Sequence, residues 1–507
     1  MTIQQNNHFE FVSQNAQQAA LLHSAADALE WDERTGMPIA AGEYRAEQVS
    51  TLRGLAHQKR TDAKYQDSIE QLFNLVDKEN STDLSVITIK KLHGDLQRDT
   101  KLSTDLVKKL ATLTVRGQQQ WDSARKNNCF EEFKPILKEI VNLKREVGDR
   151  LKEGTDLSRY ESLIDEYEPG ARTQHLDQLF ENLRIPLVDL IKRIGISNQK
   201  PNPNLFRQSL PIEKQRELSR MVAESIGFDF GRGRLDETSH PFCTTLGPHD
   251  CRILTRYDPS DLATGLFGTM HEAGHGMYEQ GLDPDAFGLP LGSYCSLGIH
   301  ESQSRMWENQ VGRSEAFWTW IAPKLEAQFG PQLGSQPVSE LYFAANEIRP
   351  SLIRVEADEA TYNLHIIIRY DLEKMLIEGT LGVEDLSEAW NTRYHQDLGI
   401  TVEEDRDGVL QDVHWSAGLF GYFPTYTLGN LIGAQLFASA ETAIDDLHQN
   451  LANGQFDKLL EWSRDTVHRH GRTMNSEEIV KTATGDTLSP EYLINYLKNK
   501  LEPLYGI

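Results

Sequence analysis

The stretch FKPILKEIVNLKREVGDRL, residues 133–151, decides the fold class. Ile136, Ile140, Leu143, Val147 and Leu151 recur at steps of four, three, four and four, with Lys, Glu, Arg and Asp between them. At about 3.6 residues per turn these side chains share one stripe, so the segment predicts an amphipathic helix. Outward from it, Val49, Leu52 and Ala56 on one side and Leu364, Ile368, Leu372 and Met375 on the other repeat the pattern. The period-two alternation of a half-buried strand is scarce. A mainly α protein is expected.

Breaks in this pattern are short. SNQKPNPN at 197–204, HPFCTTLGPHD at 240–250 and LDPDAFGLPLGS at 282–293 carry the Pro, Gly, Asn and Asp of loops, and none is long enough for a flexible interdomain linker. No internal repeat or low-complexity tract is visible. One large helical domain over 1–507 is expected, with an N-terminal lobe over about 1–200 and a catalytic lobe over about 201–507.

Composition narrows the partners. Hydrophobic residues are 39% and charged residues 25% of the 507, the balance of a globular chain rather than a disordered one. With 52 Lys and Arg against 76 Asp and Glu the net charge is -24, a field that repels nucleic acid and anionic membrane. Cys129, Cys243, Cys251 and Cys295 show no C-x-x-C spacing and read as reduced thiols rather than a disulfide framework. MTIQQNNHFE at 1–10 lacks the basic and apolar regions of a signal peptide, and no run of about 18 apolar residues occurs, so a cytoplasmic protein is expected.

The chemistry lies in LATGLFGTMHEAGHGMYEQG, residues 262–281, where Leu262, Leu266 and Met270 lead at helical spacing into His271-Glu272-Ala273-Gly274-His275. Histidines four apart on a helix are rotated by about 40°, so both imidazoles face one point, as zinc requires. Glu272 is turned by about 100° from His271. It is better placed to hold a water beside the metal than to bind the ion, which is the general-base position of an H-E-x-x-H peptidase. A catalytic zinc takes three protein ligands and keeps one position open. The sequence GMYEQGLDPD after His275 supplies no third histidine, which favours a glutamate. Glu301 in GIHESQSRMWEN, 26 residues after His275, is the candidate, although in so acidic a chain spacing alone singles out no carboxylate.

Six motifs then occur in order: HPF at 240–242, D-x-R at Asp250 and Arg252, HEAGH at 271–275, HESQSR at 300–305, IRVEAD at 353–358 and GVLQDVHW at 408–415. The series resembles that of the carboxypeptidase Taq family of metallocarboxypeptidases. WDERTGMP at 31–38, with Arg45 beyond it, is also similar to this family, so the resemblance spans most of the chain. One departure is Leu254, which stands where the family's D-x-R-x-T has threonine; Thr255 follows it.

The resemblance implies a helical fold with a deep substrate groove, similar to neurolysin and angiotensin-converting enzyme. It also implies a homodimer and metal-dependent removal of C-terminal residues from peptides, with zinc, or alternatively cobalt, held one ion per chain by His271, His275 and Glu301. Glu272 is then the catalytic base. By resemblance and residue type, His414 and Tyr422 are the donors to the tetrahedral oxyanion. Arg354 is the first choice for gripping the substrate carboxylate, with Asp358 on the same helical face to orient it. Arg252, beside Asp250, is the second choice. His240 and Gln411 complete the substrate-binding set. Two rivals remain: an oligopeptidase or endopeptidase with the same metal centre, and a zinc-containing helical scaffold without catalysis. The second has no use for Glu272.

Overall fold

The computed structural model describes residues 6–76 and 82–507. Its secondary structure is mainly α-helical, in agreement with the apolar stripes. The chain divides into two compact units, each assembled from three stretches: Met1–Thr100, Asn202–Ala345 and Leu436–Thr487 form the first, and Lys101–Pro201, Asn346–Gln435 and Leu488–Ile507 the second.

The first unit opens with the helix Asn7–Thr35, whose first turn is capped by the Asn6 side chain accepting from His8 N. Val12 and Ala16 on this helix pack with Tyr65, Ile69, Ile89 and Leu96 in a small apolar cluster. A larger core joins Ile226, Ile253, Met270, Met277, Trp307 and Trp318. Against it lies a three-stranded sheet of β1 (Gly233–Glu237), β2 (Phe242–Thr245) and β3 (Cys251–Thr255), in the order β1-β3-β2. β1 runs parallel and β2 antiparallel to β3. β2 lies inside HPFCTTLGPHD, a segment whose composition reads as loop; four residues carry too little periodicity to announce a strand, and pairing with the buried β3 orders them.

Both β2 and β3 pack on the helix Leu262–Gly281, which starts at Asp261, whose Oδ1 accepts from Ala263 N at 3.0 Å. One glycine decides how this helix meets its neighbour. A Cβ on Gly274 would stand 2.6 Å from Gln303 O and from Ser304 Cα, so only glycine lets this turn lie directly on the helix Leu297–Arg305. The second helix continues as a π-helical turn over Met306–Val311.

In the second unit the stripe at 133–151 is the buried face of the helix Phe130–Leu151, with Ile136, Ile140, Val147 and Leu151 buried and Leu143 half-buried. It packs on the helix Thr361–Glu378, which also meets Thr173–Ile196. The Leu364, Ile368 and Leu372 stripe understates that central helix: every residue from Thr361 to Tyr370 is buried, His365 and Arg369 included. A helix buried over most of its circumference is a core helix, and its polar side chains must find partners there.

Candidate metal centre

His271 and His275 stand one turn apart on Leu262–Gly281, and the close contact at Gly274 brings Glu301 of the neighbouring helix to them. His271 Nε2 is 3.7 Å and His275 Nε2 3.4 Å from Glu301 Oε2. One ligand atom from each residue lies within 4.8 Å of the others, the spacing of a three-donor cation site. Two imidazole nitrogens and one carboxylate oxygen are a donor set that zinc or cobalt accepts well and that suits magnesium poorly.

Each histidine is oriented from behind. His271 Nδ1 is 2.9 Å from Glu308 Oε2. Glu308 is also met by Arg305 Nη1 at 3.1 Å and Arg313 Nη2 at 3.5 Å. Burial opposes the charge on Glu308, yet Arg305 and His271 outweigh it and lower its carboxyl to about 2. An ionised carboxylate only accepts, so Nδ1 of His271 donates and Nε2 keeps its lone pair. His275 Nδ1 is 2.5 Å from His300 Nδ1, and His300 Nε2 is 2.8 Å from Glu279 Oε1. In the tautomer of His300 whose Nε2–H donates to Glu279, Nδ1 is left to accept from His275, and that arrangement turns a free Nε2 of His275 toward Glu301.

The charges agree with a cation site. Burial works against ionised Glu301, but Arg305, whose Nε donates to Oε1 at 2.7 Å, and the two imidazoles hold its carboxyl well below the usual range. Burial lowers His275 to about 3, so it is a neutral donor at ordinary pH. On His271 burial is outweighed by Glu301 and Glu308, which raise its pKa; a divalent cation satisfies the same negative charge that favours that proton. Glu272 is 6% exposed and its Oε2 has no hydrogen-bond partner among the described residues. Burial, opposed by His271 and reinforced by Glu301, pushes its carboxyl up to about 7.

Comparison with known proteins finds relatives along nearly the whole chain. Residues 11–501 match the model of the carboxypeptidase Taq (M32) metallopeptidases. The chain is 39% identical over 507 residues to thermostable carboxypeptidase 1 of Thermus thermophilus, covering 99% of this chain and 98% of that one. It is 37% identical over 494 residues to carboxypeptidase 1 of Bacillus subtilis, covering 97% and 96%. The crystal structure of an M32 carboxypeptidase from Deinococcus radiodurans R1 superposes with a TM-score of 0.93 at 36% identity, over 99% of this chain and 100% of that one.

The chain belongs to the carboxypeptidase Taq family. It is therefore a metal-dependent carboxypeptidase. Among its described residues no helix is long and apolar enough to cross a membrane.

The remaining family motifs fall into one unit or the other. In the first, Arg252 makes a double hydrogen bond to Asp250, both contacts at 3.0 Å, and its guanidinium lies 4.2 Å above the ring of Trp31 from WDERTGMP. Arg45 bonds Asp32 of the same motif at 2.7 Å. His240 is exposed just before β2. Leu254 and Thr255 are both fully buried, and Thr255 Oγ1 has no partner among the described residues.

In the second unit, Arg354 is 6% exposed, and its Nε donates to Asp412 Oδ1 at 2.9 Å and its Nη1 to Tyr362 OH at 3.1 Å. The expected partner Asp358 does not serve it. Arg354 lies in a 3-10 turn, Arg354–Glu356, outside any α-helix, while Asp358 accepts from Arg349 N, Ala360 N and Thr361 N and so caps the helix that follows. Gln411 braces the same turn, accepting from Arg354 N and donating to Leu352 O. His414 Nε2 is 3.3 Å from Tyr426 OH, and the His414 ring lies 5.6 Å from that of Tyr422.

Glu308, Asp412 and Tyr426 escape the motif reading. For Glu308 a signal existed: it follows Glu301 by two helical turns, with Arg305 between them, so both carboxylates and the arginine share a face. Asp412 sits inside GVLQDVHW, but nothing local joins it to an arginine 58 residues earlier.

Proposed function

We propose that this metallocarboxypeptidase holds one zinc ion per chain on His271, His275 and Glu301 and removes single C-terminal residues from peptides with broad specificity. The observation that carries the reading is the convergence of these three donors beside a buried, unpartnered Glu272 Oε2. A purely structural site leaves such a carboxylate without a task. When bound, the cation supplies Lewis-acid polarisation of the scissile carbonyl and lowers the pKa of a water.

Glu272 takes the proton of the attacking water and passes it to the departing amine. His414 and Tyr422 donate hydrogen bonds to the oxygen that becomes negative as the carbonyl carbon turns tetrahedral. Burial, aided by Arg354, lowers His414 to about 3, which supports a neutral imidazole that donates through one nitrogen. Arg354 grips the substrate carboxylate, with Asp412 holding its guanidinium plane, and Arg252, His240 and Gln411 are further substrate-binding residues. The family resemblance supports a homodimer with one catalytic domain over 1–507, and the cysteine usage and N-terminal composition support a cytoplasmic enzyme.

The test is release of the terminal amino acid from an N-blocked dipeptide and from its C-terminal amide, with metal-loaded and chelated enzyme side by side. Cleavage of the free acid alone, lost on chelation and restored by zinc, is the expected result. Equal cleavage of the amide refutes the carboxylate grip by Arg354.

A further inference from the structure

Cys243 and Cys251 are reduced, yet their sulfurs are 3.7 Å apart, in van der Waals contact. The sheet register explains why. β2 pairs with β3 so that Cys243 faces Ile253 and Thr245 faces Cys251, which makes the two cysteines diagonal neighbours on one face. Cys251 is 2% exposed, but it also lines a small cavity of about 40 Å³ whose wall includes Arg232, Thr245, His249 and Glu279. Its thiol is thus within reach of a small oxidant although no open surface exposes it.

We propose that Cys243 and Cys251 form a reversible disulfide that lowers the activity of the enzyme when hydrogen peroxide or a similar small peroxide is present. The chemistry is balanced by the peroxide itself. Cys251, facing the cavity, attacks one peroxide oxygen; the O–O bond breaks, one water leaves, and a sulfenic acid remains. Cys243 then attacks the oxidised sulfur, the S–O bond breaks, the thiol proton goes to the departing oxygen as a second water, and the S–S bond forms. Two electrons have passed from the sulfur pair to the peroxide.

Closing the pair has a cost that makes it labile. The sulfurs must approach from 3.7 Å to about 2.05 Å. Diagonal neighbours in a sheet have Cα atoms about 7–8 Å apart, beyond the roughly 4.4–6.8 Å that a disulfide spans. β2 must therefore be drawn inward, and as an edge strand it is paired in the sheet with β3 alone. A strained bond of this kind is reduced easily, as a reversible device needs.

The coupling to the metal centre runs through contacts already present. β2 and β3 pack on the helix that carries the histidines, and the Cys251 thiol donates to Gly276 O at 3.8 Å, one residue beyond His275. Oxidation removes that S–H donor and pulls β2. The same cavity is walled by Glu279, whose carboxylate orients His275 through His300. A shift of this helix displaces His275 relative to Glu301. The activity arm of the test rests on His275 serving the metal; the mass arm does not.

The experiment uses full-length, metal-loaded enzyme, reduced and then treated with graded hydrogen peroxide. Trypsin releases Leu235–Arg252 with both cysteines on one peptide. The expected result is that this peptide loses two hydrogens and resists alkylation, while Cys129 and Cys295 remain alkylatable. Activity falls about tenfold in parallel, since small displacements at a catalytic group are costly, and a dithiol reductant restores both. Cys243→Ser keeps its activity under the same peroxide. Alkylation of both cysteines after treatment, or stable oxygen addition to either, overturns the proposal, as does a disulfide that leaves activity unchanged. The mapping uses the natural protein, so it decides the matter even if the variant fails to fold.

Discussion

Glu308 Oε2 lies 2.9 Å from His271 Nδ1, and this single contact fixes which imidazole nitrogen is available to a cation. The pair is held in turn by Arg305 and Arg313, so Glu308 is ionised and accepts only. Outer partners of this kind typically account for about 10–100-fold in metal affinity. Glu308→Ala should therefore release its metal to a competing chelator at about 10–100-fold lower chelator concentration than the natural enzyme. Glu308→Gln, which retains an acceptor, should fall between the two. Equal retention in all three would show that His271 needs no support from behind.

Glu272→Gln tests a different function at nearly the same place. The amide matches the carboxylate in size but cannot take a proton, and loss of a general base costs about 10²–10⁴-fold in rate. The expected outcome is a fall in kcat of that order with metal content and thermal midpoint close to those of the natural enzyme. Activity within a few-fold of normal would remove Glu272 from the reaction.

Gly274→Ala would stabilise an isolated helix by about 1 kcal/mol. Here the sign should reverse. The added Cβ meets backbone atoms of Gln303 and Ser304 at 2.6 Å, and neither can turn aside as a side chain would. Overpacking of this sort costs about 1–3 kcal/mol, and it drives apart the two helices that bring Glu301 to the histidines. A lower thermal midpoint together with weaker metal retention is expected. A variant as stable as the parent would mean that the helices separate without cost.

These contacts show what the sequence could and could not disclose. The stripe at 133–151 and the HEAGH pair rest on spacing within one helix, and local geometry suffices to read them; Glu301, on a different helix, needed the family resemblance to single it out. Glu308 and Arg305 were legible in the same way once Glu301 was placed. Asp412 was not: Arg354 had an acidic residue at the helical interval in Asp358, and only the break into a 3-10 turn hands the arginine to a partner 58 residues on. β2 was hidden for a related reason, since four residues next to Pro and Gly become a strand through pairing with β3 rather than through their own preference. The contact between Cys243 and Cys251 depends on that register and is invisible without it.

His414 provides a pH test. Burial, reinforced by Arg354 and opposed by Asp412, lowers it from an ordinary value near 6.5 to about 3 in the folded protein. Between those values the unfolded chain binds a proton that the folded chain refuses, so unfolding is favoured increasingly as pH falls from 6.5 toward 3. His414→Phe keeps a ring against Phe423 and removes the titration. The difference in urea midpoint between the natural enzyme and this variant should be constant above pH 7 and should move against the natural enzyme as pH falls through that window. A difference independent of pH would mean that His414 titrates normally.

Asp412 joins two buried guanidinium groups, with Oδ1 accepting from Arg354 Nε at 2.9 Å and Oδ2 from Arg369 Nε at 2.5 Å. Burial opposes its charge, but Arg354 and Arg369 outweigh this and hold the carboxyl far below its usual range. A depressed acid stabilises the fold above its unfolded pKa of about 3.8, and that contribution is lost as pH falls below it. Asp412→Ala leaves Arg354 and Arg369, 6% and 0% exposed, without their shared counter-ion. Stranding a buried charge costs about 3–5 kcal/mol. At neutral pH the alanine variant should therefore lose stability by at least that amount in urea unfolding, and Asp412→Asn, which keeps an acceptor but not the charge, should lose less. The gap between the natural enzyme and Asp412→Asn should narrow in strong acid, where the natural carboxylate loses its advantage. If Asp412→Ala unfolds within about 1 kcal/mol of the parent, water or other acceptors already serve the two arginines, and Asp412 does not hold Arg354 in place.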